Sequence, residues 1–599
     1  MTTILKEKLV KGGEFLIMET DPKDVFIPEE WSEEQKMIYQ TCLDFVETEI
    51  HTKLDQIDSM KYPELVPSLL DKAGQLGLLG SGIPEKYGGL GMDFNTTMLI
   101  AEAFGQSHSF VVSISVHIGI GTLPILFYGT EQQKEKYLPK LAMGELKSAY
   151  CLTEPDAGSD ANAGKTKARL SEDKNSYILN GQKMWISNAG FADLFIVFAK
   201  IENDKYLSAF IVEKGFGGIT MNPEEKKLGI KGSSTRQVFF NDCVVPVENL
   251  LGEREFGFKI ALNILNIGRI KLGAATVGGS KLALKRSIRY SNERKQFGTS
   301  IGNFGAIKHK LAEMATRIYA CESAVYRTGK NIEDTSIAYK KEGLDEDSAK
   351  NKAVEEFAIE CAILKVHGSE LLDFAVDETV QIHGGIGYSS DGPAERGYRD
   401  ARINRIYEGT NEINRLVTID ILLKKAMKGS LDLMTPAMEV QKELTSIPSF
   451  DQNGEEALFF KEKKVLSNLK KIGLMISGTA VLKLSMKLKE EQEILMNLAD
   501  MLIEGYLAES SILRVEKLAG IKGIESCQRQ IDMAMIYLHS AVNKITIAAK
   551  EAIYAFAEGD EQRMLLLGLK RFSKIEPYNL KEARRRIAEE LLDRNDYCF

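Results

Sequence analysis

Apolar positions in the first 150 residues recur at helical spacing. Ile38, Cys42, Phe45 and Val46 share one face of a helix that Ser32 opens, and Gln35 completes a capping box with it. Thr130-Glu-Gln-Gln repeats that signature ahead of KEKYLPKL. Between about 150 and 250 the pattern shortens to β-prone runs, SYILN, KMWIS, LFIVFAK, LSAFIVE and RQVFFNDCVV, with Asn180-Gly181 as a hairpin signal. Long amphipathic runs return from 255 to 428, and four of them suggest a bundle. The charged stretch 331–350, NIEDTSIAYKKEGLDEDSAK, reads as an exposed connection between two of these helices, or as a frayed extension. A Pro-containing linker, LDLMTPAMEVQKELTSIPSF, then leads to further helices, one of which (QIDMAMIYLHSAVNKITIAAKEAIYAFAEG) carries a wide apolar stripe.

The expected fold is mainly α with a central β domain. Residues 1–149 form a helical domain, 150–254 a mostly antiparallel β domain, 255–428 a four-helix bundle and 429–599 a helical extension. Length agrees, since 599 residues exceed what one core serves. Hydrophobic residues are 44% and charged residues 27%, a globular balance, and a net charge of −8 offers no basic surface for nucleic acid. No apolar run approaches the roughly 18–20 residues of a membrane span. The start, MTTILKEKLVKGGEF, resembles neither a signal nor a transit peptide, so a cytoplasmic protein is expected. Seven scattered cysteines without CxxC spacing, and seven histidines without HxxxH spacing, predict free thiols and no metal site.

Three segments carry candidate chemistry. Tyr150–Asp160, YCLTEPDAGSD, offers hydroxyls and amides to a polar ring or phosphate, although an ordinary surface loop fits its composition as well. It is no GxGxxG fingerprint and follows no βαβ pattern, which excludes a nicotinamide-binding Rossmann site. Trp185, in KMWISNAG, reads as a wall beside a flat cofactor or as a core tryptophan. In residues 381–415 the charges read first as a salt-bridge network, but Glu408 is flanked by Ile406, Tyr407 and Gly409. Apolar surroundings raise a carboxylate's pKa, which suits a general base working near neutrality.

YCLTEPDAGSD, NGQKMWISNAG, ERKQFG, QIHGGIGY and IYEGTNEI, in this order and separation, resemble the signature of the acyl-CoA dehydrogenase family over residues 30–425. The resemblance implies a helical domain, a β domain and a four-helix bundle. It also implies FAD as cofactor, a fatty acyl-CoA as substrate and an electron-transfer flavoprotein as electron acceptor. By it Glu408 is the base that removes the α-proton, and Glu408's own N–H helps the flavin ribityl chain to hold the thioester carbonyl. Tyr150, Cys151, Leu152 and Thr153 would meet the flavin's pyrimidine side. Trp185, Ile186 and Ser187 would lie beside the isoalloxazine, and Ser159 where CoA and the FAD diphosphate come close. Arg294, Gln296 and Phe297, with Gln381, Gly384 and Gly385, would bind FAD across a homodimer interface, and Thr410 and Glu412 would complete the adenosine end. Asn266, Arg269, Tyr407 and Gly409 would contact the substrate, Arg269 at the CoA nucleotide.

Some relatives carry the base one residue before the arginine that matches Arg269, and that position is Gly268 here, which leaves Glu408 without a competitor. Flavin monooxygenases of this fold generally lack the glutamate. GFGGIT, KKLGIKGSSTRQVFF, ALNILNIGR and the extension past 430 resemble the very-long-chain branch. Segment 106–120 would line the deep end of the pocket with Val, Ser and Ile in place of a bulky polar plug, which is compatible with a long chain. The basic stretch 564–586 reads as weak peripheral membrane contact or, more ordinarily, as a packing helix. Two rival readings are an acyl-CoA oxidase and a non-catalytic scaffold of the same fold.

Overall fold

The computed structural model describes residues 9–444 and 458–599. Both capping boxes form. Ser32 Oγ accepts from Gln35 N at 3.1 Å and Gln35 Oε1 from Ser32 N at 3.0 Å, opening helix Glu33–Phe45. Thr130 and Gln133 do the same for helix Glu131–Ala142.

Eight strands follow: β1 Ser148–Cys151, β2 Lys167–Leu170, β3 Ser176–Ser187, β4 Leu194–Ile201, β5 Ser208–Glu213, β6 Ile219–Met221, β7 Thr235–Pro246 and β8 Leu250–Leu251. Their order is β6-β7-β3-β2-β4-β5-β8, with β1 joined to β4. Most pairs are antiparallel, while β1–β4 and β2–β4 are parallel. Asn180-Gly181 makes no hairpin. Both residues lie inside β3, where the register against β7 slips between Leu179 and Gly181, so SYILN and KMWIS are one strand. The glycine serves a close approach instead, since a side chain at Gly181 would run into Thr166 Oγ1 at 2.4 Å.

The bundle consists of helices Gly257–Glu293, Gly305–Lys341, Ala358–His383 and Asn411–Met427. The exposed connection expected over 331–350 narrows to residues 342–345: helix Gly305–Lys341 occupies the first half of the stretch with Ile332, Thr335 and Ser336 buried, and helix Glu346–Glu356 begins in the second. Its charges mark the solvent face, and buried Asp347 pairs with Lys134 at 2.7 Å.

Of the expected linker, Met434–Leu444 is helical, and the part from 445 to 450 lies outside the described residues. Helices Phe460–Leu484, Gln492–Lys522, Gln528–Phe556, Gly559–Phe572 and Leu580–Arg594 complete the chain. The basic stretch 564–586 is split between the last two, which bury Leu565, Leu569, Phe572, Ile587 and Leu591. Its Arg584 reaches Glu313 and its Arg586 reaches Asp532, at 2.8 and 2.6 Å. Three helices, Phe110–Tyr128, Gly257–Glu293 and Phe460–Glu490, do have the length and composition to cross a membrane, contrary to the sequence reading. Their most apolar windows are 78%, 72% and 56% buried in this fold.

One apolar core runs from Phe15 through the bundle to Leu591, and a second fills the sheet. A buried ion network ties the first core together. Arg514, 1% exposed, donates to Glu322 at 2.6 Å and Glu29 at 2.9 Å and lies 4.0 Å above the Tyr319 ring. Lys281 joins Glu322 to Glu102. Five segments far apart in sequence therefore share one set of charges. Removing one partner strands the others, so Arg514→Met is expected to cost about 3–5 kcal/mol. Denaturant unfolding of variant and wild type measures that loss.

Candidate active site

Strand β3 delivers Trp185. Its ladder to β7 breaks between Lys183 and Ile186, and Trp185 sits in the break at φ 60°. A bulge turns a residue out of the pleat, and the indole stands off the sheet, 53% exposed. Next to it the loop after β1 is locked by an ion pair that the sequence did not reveal. Lys183 Nζ meets Glu154 Oε1 at 2.6 Å with 0% and 5% side-chain exposure, and also donates to the Leu152 carbonyl at 3.2 Å. Met184 N–H donates to the Thr153 carbonyl at 2.9 Å. Among the described residues the hydroxyls of Thr153, Ser159 and Ser187 have no hydrogen-bond partner, and all three line the same cavity.

That cavity measures about 450 Å³. Gly268, Leu272, Ala275, Gly279, Leu282 and Arg286 line it from helix Gly257–Glu293, a stripe about 27 Å long at the helical rise. Segment 106–120 supplies the facing wall through Val111, Val112, Ser115, Val116, Gly119 and Ile120. It is less apolar than expected. Gln106 and His108 also line it, and His108 Nδ1 is 3.4 Å from Asp400 Oδ2. Lys271, unnoticed in sequence, lines the cavity without a partner among the described residues, and burial pushes its ammonium down to about 8.

Glu408 closes the reactive end. It and Gly409 are successive left-handed residues, φ 59° and 82°; for the glutamate this conformation costs of order 1–3 kcal/mol and must be held by its surroundings. Arg269 Nε donates to the Glu408 carbonyl at 3.3 Å, and Asn414 Nδ2 to the Gly409 carbonyl at 2.8 Å. The side chain packs on a bare stretch of helix. A Cβ at Gly268 would lie 2.9 Å from Glu408 Oε2 and 3.0 Å from its Cδ. Oε2 is enclosed without a hydrogen-bond partner among the described residues. Burial pushes the carboxyl up to about 7 against the opposing pull of Arg269 and Lys365. Glu408's N–H likewise finds no acceptor among the described residues.

The structure brings together most of the first group of sequence-derived residues. Tyr150, Leu152, Thr153, Ser159, Trp185, Ile186, Ser187, Arg269, Tyr407, Glu408 and Gly409 line one cavity. The Tyr150 hydroxyl is buried without a partner, and Tyr407 donates to Asn404 at 2.7 Å. Cys151 points instead into the core of the sheet. Asn266 is 6% exposed and accepts from Arg269 Nη1 at 2.8 Å, off the cavity wall. Arg269, 5% exposed, is engaged with Asn266 and the Glu408 carbonyl. Thr410 caps helix Asn411–Met427, accepting from Ile413 N, and Glu412 lies in its first turn.

Arg294, Gln296, Phe297, Gln381, Gly384 and Gly385 are not brought to the cavity. They sit just past helix Gly257–Glu293 and at the end of helix Ala358–His383, exposed, with Phe297 95% and nearby Tyr388 87% accessible. Along the helix, Arg294 is about 37 Å from Arg269.

Family domain models match in chain order: "Acyl-CoA dehydrogenase, N-terminal domain" over residues 32–145, "middle domain" over 149–243, and two models termed "C-terminal domain" over 255–423 and 468–571. The crystal structure of an acyl-CoA dehydrogenase complexed with FAD from Bacillus anthracis superposes with TM-score 0.95 at 46% identity, covering 98% of this chain and all of that one. A probable acyl-CoA dehydrogenase of Bacillus subtilis is 45% identical over 98% of both chains. The human mitochondrial very long-chain specific acyl-CoA dehydrogenase is 41% identical over 60% of this chain and 52% of its own length. With four family domains in order and relatives matched end to end, this chain belongs to the acyl-CoA dehydrogenase family.

Proposed function

We propose that this chain dehydrogenates a fatty acyl-CoA across its α and β carbons to the trans-2-enoyl-CoA, with Glu408 as the base. One observation carries the reading: the Glu408 carboxylate lies at the end of a largely apolar cavity with Oε2 enclosed, is raised to about 7, and packs on Gly268. The α-proton of a thioester is a weak acid. A base held near neutrality accepts it far better than an exposed glutamate of ordinary pKa. Glu408's unengaged N–H can bind the thioester carbonyl and stabilise the enolate charge as it develops.

FAD, present in the Bacillus anthracis relative, would accept the β-hydride when bound. The exposed Trp185 indole and the free hydroxyls of Thr153, Ser159 and Ser187 suit a flat ring with polar edges. The remote Arg294, Gln296, Phe297, Gln381, Gly384 and Gly385 would serve the same cofactor from a second copy of the chain, because one copy keeps them too far away. An electron-transfer flavoprotein would then take the electrons, and the product would enter β-oxidation.

A long acyl chain is the preferred substrate in this reading. The lined stripe of helix Gly257–Glu293 supports it, as does the likeness to the very long-chain enzyme. Lys271 qualifies it: an alkyl chain must pass an ammonium, which loses its proton readily enough to be partly neutral near pH 8. Peripheral membrane contact would run through helix Gly559–Phe572, whose Met564 and Leu567 are 42% and 69% exposed.

Anaerobic titration of the flavin-loaded protein with acyl-CoAs of increasing length should bleach the flavin, most completely with long chains. Peroxide formed aerobically without an electron-transfer flavoprotein would replace the dehydrogenase reading by an oxidase. Glu408→Gln should bind flavin and fail to bleach. The acid limb of kcat/KM should fall near pH 7, activity being lost as pH drops and Glu408 takes up its proton. Gly268→Ala should keep flavin and lower kcat roughly 10- to 100-fold by displacing the carboxylate, which stopped-flow reduction would measure.

A further inference from the structure

Lys365 lies on helix Ala358–His383, 0% exposed, and has no carboxylate partner among the described residues. Its ammonium donates to the Gly409 carbonyl at 2.7 Å and to Asn411 Oδ1 at 2.8 Å. Asn411 in turn donates to Ser369 Oγ and Glu370 Oε1, both at 3.0 Å. Glu370 accepts from Arg415, which also reaches Asp500 on helix Gln492–Lys522 at 2.7 Å. A continuous set of bonds therefore runs from the C-terminal helices to the peptide that follows the base. A buried lysine could have been a methionine at lower desolvation cost, so its retention at this point calls for a role.

We propose that Lys365 is the positioning residue of the base, pinning the Gly409 carbonyl so that Glu408 keeps its left-handed turn and presenting to the carboxylate a cation alongside Arg269. The inference rests on Glu408 being the base. Two contributions follow. The hydrogen bond, with that from Asn414, holds two successive positive-φ residues that would otherwise relax. The charge favours the ionised carboxylate and so offsets part of the rise that burial imposes. The coupling is mutual: burial pushes Lys365 down to about 7, while Glu408 is the largest influence holding it up. The other ionisable groups around the pair are Tyr150 on β1, Tyr407, Arg269 with Cys361 beside it, and Glu370 and Glu412 on the lysine's side.

The test is kcat/KM against pH for the flavin-loaded enzyme and its Lys365→Gln, Lys365→Arg, Asn414→Ala and Glu408→Gln variants. Lys365→Gln keeps a donor and removes the charge. Its acid limb should move alkaline by about one unit, with kcat reduced more than KM is raised. Lys365→Arg should return the limb to the wild-type position. Asn414→Ala should lower kcat with the limb unmoved. An unmoved limb in Lys365→Gln, or one displaced equally in Lys365→Arg, overturns the proposal. Should Lys365→Gln fail to fold, Lys365→Arg and Asn414→Ala decide it, since a displaced limb in either contradicts the assignment. Turnover retained in Glu408→Gln would instead remove the base reading itself, a different failure.

Discussion

Everything at the reactive end depends on one close contact, the Glu408 carboxylate resting on the bare backbone of helix Gly257–Glu293 at Gly268. Enclosure there separates this glutamate from the other acidic residues of its segment. It raises the proton affinity of the group while leaving Oε2 without a partner. The neighbouring residues serve that contact. Arg269 binds the backbone of the glutamate and not its carboxylate, so the group is steadied without the tight ion pair that would make it a poor base. Asn266 and Asn414 complete the support, one through the arginine and the other through the turn.

The same economy of form appears across the cavity. Trp185 reaches it because β3 breaks register at that residue, and Thr153 stays beside it because the fully buried Lys183–Glu154 pair anchors the loop. Farther out, the Arg514–Glu322–Lys281 network fastens the C-terminal helices to the bundle. Those helices also approach the base through Asp500 and Arg415. The extension is thus part of the framework behind the site.

Much of this was legible in sequence, and the reasons differ by element. Capping boxes and helical periodicity are local signals, and the structure carries them out at Ser32 and Thr130. Asn180-Gly181 is also a local signal, but β3 pairs with β7 on both sides of it and the hairpin does not form; the glycine is there for a close approach of Thr166. Charge density made the connection at 331–350 look longer than it is, because a minority of apolar positions was enough to keep 331–341 helical on the bundle. At the site, motif order identified Glu408, Thr153 and Trp185. Lys183, Lys271 and Lys365 escaped notice because a lone lysine in a strand or helix reads as a solvated charge, and only the fold shows Lys183 and Lys365 buried and Lys271 half-buried on the cavity wall. The direction of the Arg269 guanidinium, turned to the carbonyl of the base, is likewise visible only in the fold.

The central claim, that Glu408 removes the α-proton, is tested most directly by exchange of that proton with solvent. Acyl-CoA incubated in D2O with the wild-type flavoprotein should acquire deuterium at the α carbon, with a rate that rises through about pH 7. Under the same conditions Glu408→Gln should bind the thioester and leave its α-protons in place. Undiminished α-deuteration in Glu408→Gln would show that another group takes the proton, and would contradict the account.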